Sequence, residues 1–160
     1  MASETATASS IETDAVAGNW KAGVTGGLIG SAVFGVMLTL QMTNVIEIAI
    51  PSMYGLAPPA SGLAGWFVHM SHGAVLGVAF AGFVGAVGLD GESAQKQVGA
   101  GLAYGIVLWV VLAAVVMPIW LSTVGSPASP PLPNFNPQSL IGHAIYGAVL
   151  GATYYALEDL

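Results

Sequence analysis

Residues 63–89 read LAGWFVHMSHGAVLGVAFAGFVGAVGL, a run without one formally charged side chain. A bilayer core takes about 20 consecutive apolar residues as a helix, so this run is long enough to cross it. It also carries His69 and His72, at a depth where an ionisable group is costly and tends to face the interior of a bundle. Three more charge-free stretches share its character: Ala22 to Ile46, Val98 to Leu121 and Leu140 to Leu157. None alternates polar with apolar residues as a membrane barrel strand does, and an open sheet leaves its backbone unsatisfied in lipid. The expected fold is therefore all-α and membrane-embedded, a four-transmembrane-helix bundle with spans at about 22–46, 63–89, 98–121 and 140–157.

Composition agrees with the spans. Of 160 residues, 55% are hydrophobic and only 6% charged, and the mean hydropathy is +0.78. A soluble domain carries about a quarter charged residues, enough to cover a wet surface; this chain does not. Cysteine is absent, which excludes disulfides, thiolate metal sites, iron–sulfur clusters and cysteine nucleophiles. Arginine is absent too, and with a net charge of −6 there is no basic stripe for nucleic acid. No phosphate-cradling loop with a Lys and no nucleophile-and-base pair is legible, so no enzymatic activity is expected.

Residues 1–19 are rich in Ser, Thr and Ala, with Glu4, Glu12 and Asp14. Such a stretch cannot bury enough to repay its ordering, and it lacks the basic start of a secretory signal. The expectation is a disordered acidic cytoplasmic tail over 1–19 followed by the transmembrane domain over 20–160. Lys21 precedes the first span and Lys96 lies between the second and third, while 48–62 and 122–139 hold no cation. The positive-inside rule then places both termini in the cytoplasm and the protein in the plasma membrane as a multi-pass chain. Trp20, Trp66 and Trp120 fall near span ends, as interfacial indoles do, whereas Trp109 is mid-span. The neutral segments 51–62 and 122–139 are rich in proline, which favours stiff extended backbone; they serve either as caps over the bundle mouth or as plain connectors.

The chain also matches itself. His69 to Gly77 aligns with His143 to Gly151 at an offset of 74, with six identities in nine positions, and Gly26 and Gly30 align with Gly101 and Gly105 at an offset of 75. Two matches at nearly one offset imply two tandem helical hairpins, a parallel internal repeat whose pseudo-twofold axis lies along the membrane normal. Small residues recur at four-residue spacing: Gly23, Gly27, Ser31 and Gly35; Gly73 and Gly77; Gly101 and Gly105; Gly147 and Gly151. Each series lines one helix face as a groove for close backbone packing, either within the bundle or between copies.

His69, His72, His143 and Glu47 are the ionisable groups in or beside the spans. On the repeat, His69 and His143 lie at one depth, with Gly73 and Gly147 leaving room beside each ring. This His-then-Gly pattern resembles the haem-contacting helices of b-type cytochromes, and the resemblance implies a haem b held by His69 and His143. A metal site of His69, His72 and His143 with Glu47, a proton or quinone role, and imidazoles that only hydrogen-bond between helices are the alternatives. The acidic tail, the absence of Arg and Cys and the Gly-rich core resemble the small polytopic membrane proteins of halophilic archaea. Two functions stand as expectations. One is a non-enzymatic scaffold or accessory subunit whose partners are the bilayer, other membrane subunits or its own copies. The other is a cofactor carrier or small transporter working at the histidine level.

Overall fold

The computed structural model describes residues 18–159, and every regular element in that range is helical. Helix α1 (Trp20–Gln41) starts at Asn19, whose side-chain oxygen accepts from the amides of Lys21 and Ala22. That side chain also donates to the carbonyls of Leu157 and Glu158 at 3.4 and 3.1 Å, and the Asn19 amide donates to the Tyr154 hydroxyl at 2.9 Å. The tail expected over 1–19 is thus corrected at its end: Asn19 is a cap tied to the other terminus, because the first amides of a helix need an acceptor. Residues 1–17 lie outside the described residues.

Helix α1 breaks at Met42, short of the expected Ile46, and resumes as a π-helical turn (Val45–Ala49) and the short α2 (Ile50–Ser52). Helix α3 (Gly62–Ala86) is capped by the Ser61 hydroxyl. It stops before Leu89 because Gly88, at φ 67°, takes the left-handed conformation that ends a helix. The amide of Gly88 then reaches Gly85 and that of Leu89 reaches Val84, at 3.2 and 2.9 Å. The third span is longer than expected and runs Ala94–Thr123: α4 (Ala94–Leu108), a π-helical stretch (Trp109–Val116) and α5 (Met117–Thr123). Lys96 therefore sits in the first turn of α4, paired to Glu92 at 2.8 Å. Helix α6 (Pro137–Leu157) begins three residues earlier than expected, since Asn136 caps it and Pro137 suits the first helical position. All four long helices are long and apolar enough to cross a membrane.

Close packing follows the glycines. A methyl at Gly27 would run into the Gly73 carbonyl, and one at Gly23 into the Gly77 carbonyl, so α1 and α3 lie backbone on backbone. The same holds for Gly101 against Gly147 and for Gly105 against the His143 carbonyl, which joins α4 to α6; Gly151 meets the Gln97 carbonyl. Gly35 is covered by the Trp66 ring. These grooves are filled by helices of the same chain and are not open to a second copy. Gly26 and Gly30 face α6 instead, against Leu150 and Tyr146. The helices thus form an arc in the order α3, α1, α6, α4, with α3 and α4 barely touching. A twofold operation would carry the close α1–α6 contact onto α3 and α4, whereas those two helices meet only at Tyr104, against Phe80 and the Leu76 carbonyl, and part as an open seam in the half nearer the proline-rich loops.

The proline-rich loops are pinned to the helices by one device used twice. Pro51 has no N–H for the Glu47 carbonyl four residues back, and Pro118 has none for that of Ala114. Both freed carbonyls are taken by loop amides, Ser61 on Glu47 and Asn134 on Ala114, each at 2.9 Å. In lipid an unpaired carbonyl is costly, so the loop is drawn down onto the helix. Phe135 follows it and packs on Trp109 with ring centroids 5.6 Å apart, which accounts for an indole at mid-span. The two loops meet through Ser52 and Ser126, 2.6 Å between hydroxyls, and through the Trp120 indole donating to the Met53 carbonyl at 3.0 Å.

Candidate functional site

The open seam leads to a cavity of about 560 Å³ in the half of the bundle nearer the proline-rich loops. Leu38 of α1, Met42 just after it, Leu76 of α3 and Leu108, Leu112 and Ala113 of the third span give it an apolar wall. Both π-helical stretches border it, through Val45 and through Leu112, Ala113 and Val116, and such turns recur at functional sites because they redirect side chains and free backbone groups. At the seam Val75 and Val116 are 67% and 46% exposed, so the opening is on the side of the bundle, between α3 and the third span. Towards the other end, the Tyr146 and Tyr104 hydroxyls close the space by donating to the carbonyls of Gly73 at 3.0 Å and Leu76 at 2.9 Å.

All three histidines border this space. His69 is seven residues into α3 and His143 six into α6, about 9–11 Å from each helix start at 1.5 Å per residue. Phe34 stands edge-on against both rings, with centroids 5.4 Å from His69 and 4.9 Å from His143. Gly142 makes room for it, since a methyl there would strike the Phe34 ring. His69 Nε2 lies 3.0 Å from the Ser31 carbonyl and His143 Nδ1 2.8 Å from the Ser139 carbonyl. A carbonyl only accepts, so these two nitrogens carry the protons.

That geometry does not suit a haem between His69 and His143. Axial ligation needs ring nitrogens directed at one iron, whereas His69 Nε2 is committed to Ser31 and Phe34 contacts both rings. Gly73 and Gly147 do not flank a porphyrin; they take the α1 and α4 backbones. The four residues of the metal expectation do not come together as one group. Among the described residues no group of three or more His, Cys, Asp or Glu is placed to hold an ion. His72 turns instead to the Tyr54 hydroxyl, 2.6 Å from its Nε2, and the Glu47 side chain lies beside Gly62 at the start of α3.

Sequence reasoning passed over Phe34, Tyr54 and the polar cluster at the opposite end of the bundle. There the buried Gln97 donates to the Leu89 carbonyl at 2.5 Å and to Glu158 at 3.0 Å, and Tyr154 donates to Asp90 at 2.6 Å. Glu158 also accepts from the Gly91 amide at 3.3 Å, and burial pushes its carboxyl above the usual glutamate range. The cluster ties the 87–93 turn to both ends of the described chain. The signal for it was a Gln at the edge of an otherwise apolar run.

A four-helix arc with a lateral apolar hollow defines a multi-pass α-helical membrane protein with a small-molecule-sized cavity. The chain belongs to the family described as Family of unknown function (DUF6789), whose model matches residues 17–160. No curated protein and no solved structure matches the chain.

Proposed function

We propose that the protein holds a small molecule drawn from the lipid phase, without chemistry on it, which is the carrier or transporter reading of the histidine level. The observation that carries this is the cavity: apolar walls, a few converging polar groups and a mouth towards lipid. Its volume falls within the roughly 300–1,000 Å³ of small-molecule sites. A scaffold needs no hollow interior, and here the glycine grooves are filled while the space beside the histidines is not.

Both termini lie on the cytoplasmic side of the plasma membrane in this reading. Lys21 and Lys96 share one end of the bundle, and the loops at the other end are free of cations. The composition supports a place among the small membrane proteins of halophilic archaea. A duplicated hairpin is the proposed origin. It is supported by one offset of 74 across the packing contacts, Gly27 on Gly73 matching Gly101 on Gly147, rather than by the offset of 75 read along the first and third spans.

Ala113 is 7% exposed and lines the cavity, so Ala113→Phe fills it from the wall. Lipids released from the purified protein and from this variant, compared by mass spectrometry, test the proposal. A species held by the unaltered protein and missing from an assembled variant is the expected result. Identical lipid content in the two overturns it.

A further inference from the structure

Four of the hydrogen-bond donors around the cavity are already spent; the Tyr54–His72 pair, joined at 2.6 Å through His72 Nε2, keeps one proton, on the exposed Tyr54 hydroxyl or on His72 Nδ1. His69 Nε2–H goes to Ser31, His143 Nδ1–H to Ser139, the Tyr146 hydroxyl to Gly73 and the Trp120 indole to Met53. In neutral imidazoles that leaves lone pairs, on Nδ1 of His69 and on Nε2 of His143, with no partner among the described residues. Among the described residues the buried unpartnered side-chain atoms are Gln97 Oε1 and Trp109 Nε1, so neither imidazole nitrogen is sealed away. Both residues line the cavity. Ser31 and Ser139 can turn their hydroxyls either way, so the two imidazole acceptors set the preference. No Lys, Asp or Glu lines the cavity, and the chain has no Arg, so nothing there balances a phosphate, carboxylate or ammonium head.

From this inventory we infer that the ligand is a neutral long-chain amphiphile whose head is a hydroxyl, donating to the free nitrogen of His143 or His69 while its chain lies along Leu108, Leu112 and Met42. The inference rests on the lipid-phase cavity reading and adds the head-group chemistry. A hydroxyl satisfies an acceptor that an ether or ester oxygen only repels. A phospholipid is excluded by the missing cations.

The test uses the full chain in phospholipid nanodiscs loaded with equal amounts of 1-hexadecanol and hexadecyl methyl ether, bound probe being measured by native mass spectrometry relative to its share in the bilayer. The expected result is enrichment of the alcohol over the ether by about tenfold, the factor one net hydrogen bond gives. Replacing His143 and His69 together by Phe, which keeps a ring against Phe34 at each place, should bring that ratio to about one, since one hydroxyl donates to one nitrogen and either single change leaves the other acceptor. If alcohol and ether bind the unaltered protein equally, or the ether binds better, the head-group inference is overturned and the cavity reading stands. If neither probe binds above its bilayer share, the cavity reading itself falls. The comparison on the unaltered protein decides the matter even where a variant does not assemble.

Discussion

Replacing Gly101 by Ala places a methyl inside contact distance of the Gly147 carbonyl and 2.9 Å from both Cα and N of Gly151. Every atom it meets is backbone, so no side chain can swing aside and α4 must move off α6 as a body. Overpacking of this kind costs about 1–3 kcal/mol, and rigid neighbours put Gly101 at the upper end. Against it stands the gain of Ala over Gly in a helix, about 0.5–1 kcal/mol. The net expectation is a loss of about 2 kcal/mol, roughly a thirtyfold fall in the folding constant. Gly99 lies two residues away on the same helix and is exposed, and a methyl there meets nothing within 4 Å. Gly99→Ala should therefore stabilise by the propensity term alone. Reversible unfolding by SDS in mixed micelles, followed by far-UV circular dichroism, measures both. Equal effects of the two substitutions, or a Gly101→Ala protein as stable as the unaltered one, would refute the claim that backbone contact at the glycines holds α4 to α6.

Three further outcomes are expected. Asn19→Ala removes the cap of α1 and the bridge to Leu157 and Glu158, and should cost about 1–2 kcal/mol in the same titration. Pro118→Ala restores an amide that competes for the Ala114 carbonyl, so the Asn134 amide should exchange its hydrogen faster, while no change would mean that the loop is held by other contacts. Burial raises the Glu158 carboxyl above its ordinary 4.5, so the folded protein holds a proton that the unfolded chain has lost, and this group's contribution to stability falls as pH rises upward from that value. Glu158→Gln should flatten that slope, and an unchanged pH profile of stability would show that another group sets it.

How much was legible from residues alone follows from what lipid leaves visible. The four spans could be read because a bilayer requires long uncharged runs, and the glycine stripes because residues four apart share a face whatever the neighbour. Asn136 before Pro137, and the prolines at 51 and 118, are local signals with local consequences, so the start of α6 and the freed carbonyls were present in the sequence. Which groove takes which helix was not. In lipid every face of a span is apolar, so no polar face points outward to orient it, and Gly27 could be assigned to α3 only by the tertiary structure. The same holds for the histidines. Their depth is a matter of counting, but the Phe34 ring against both, the protons turned to Ser31 and Ser139, and the hollow beside them depend on where α1 sits between α3 and α6. The sequence by itself determined a four-span membrane helix bundle stitched by small residues. The open seam between α3 and α4, and with it the site, was decided by long-range packing, because a self-match of the two hairpins describes each hairpin and not the unequal way they meet.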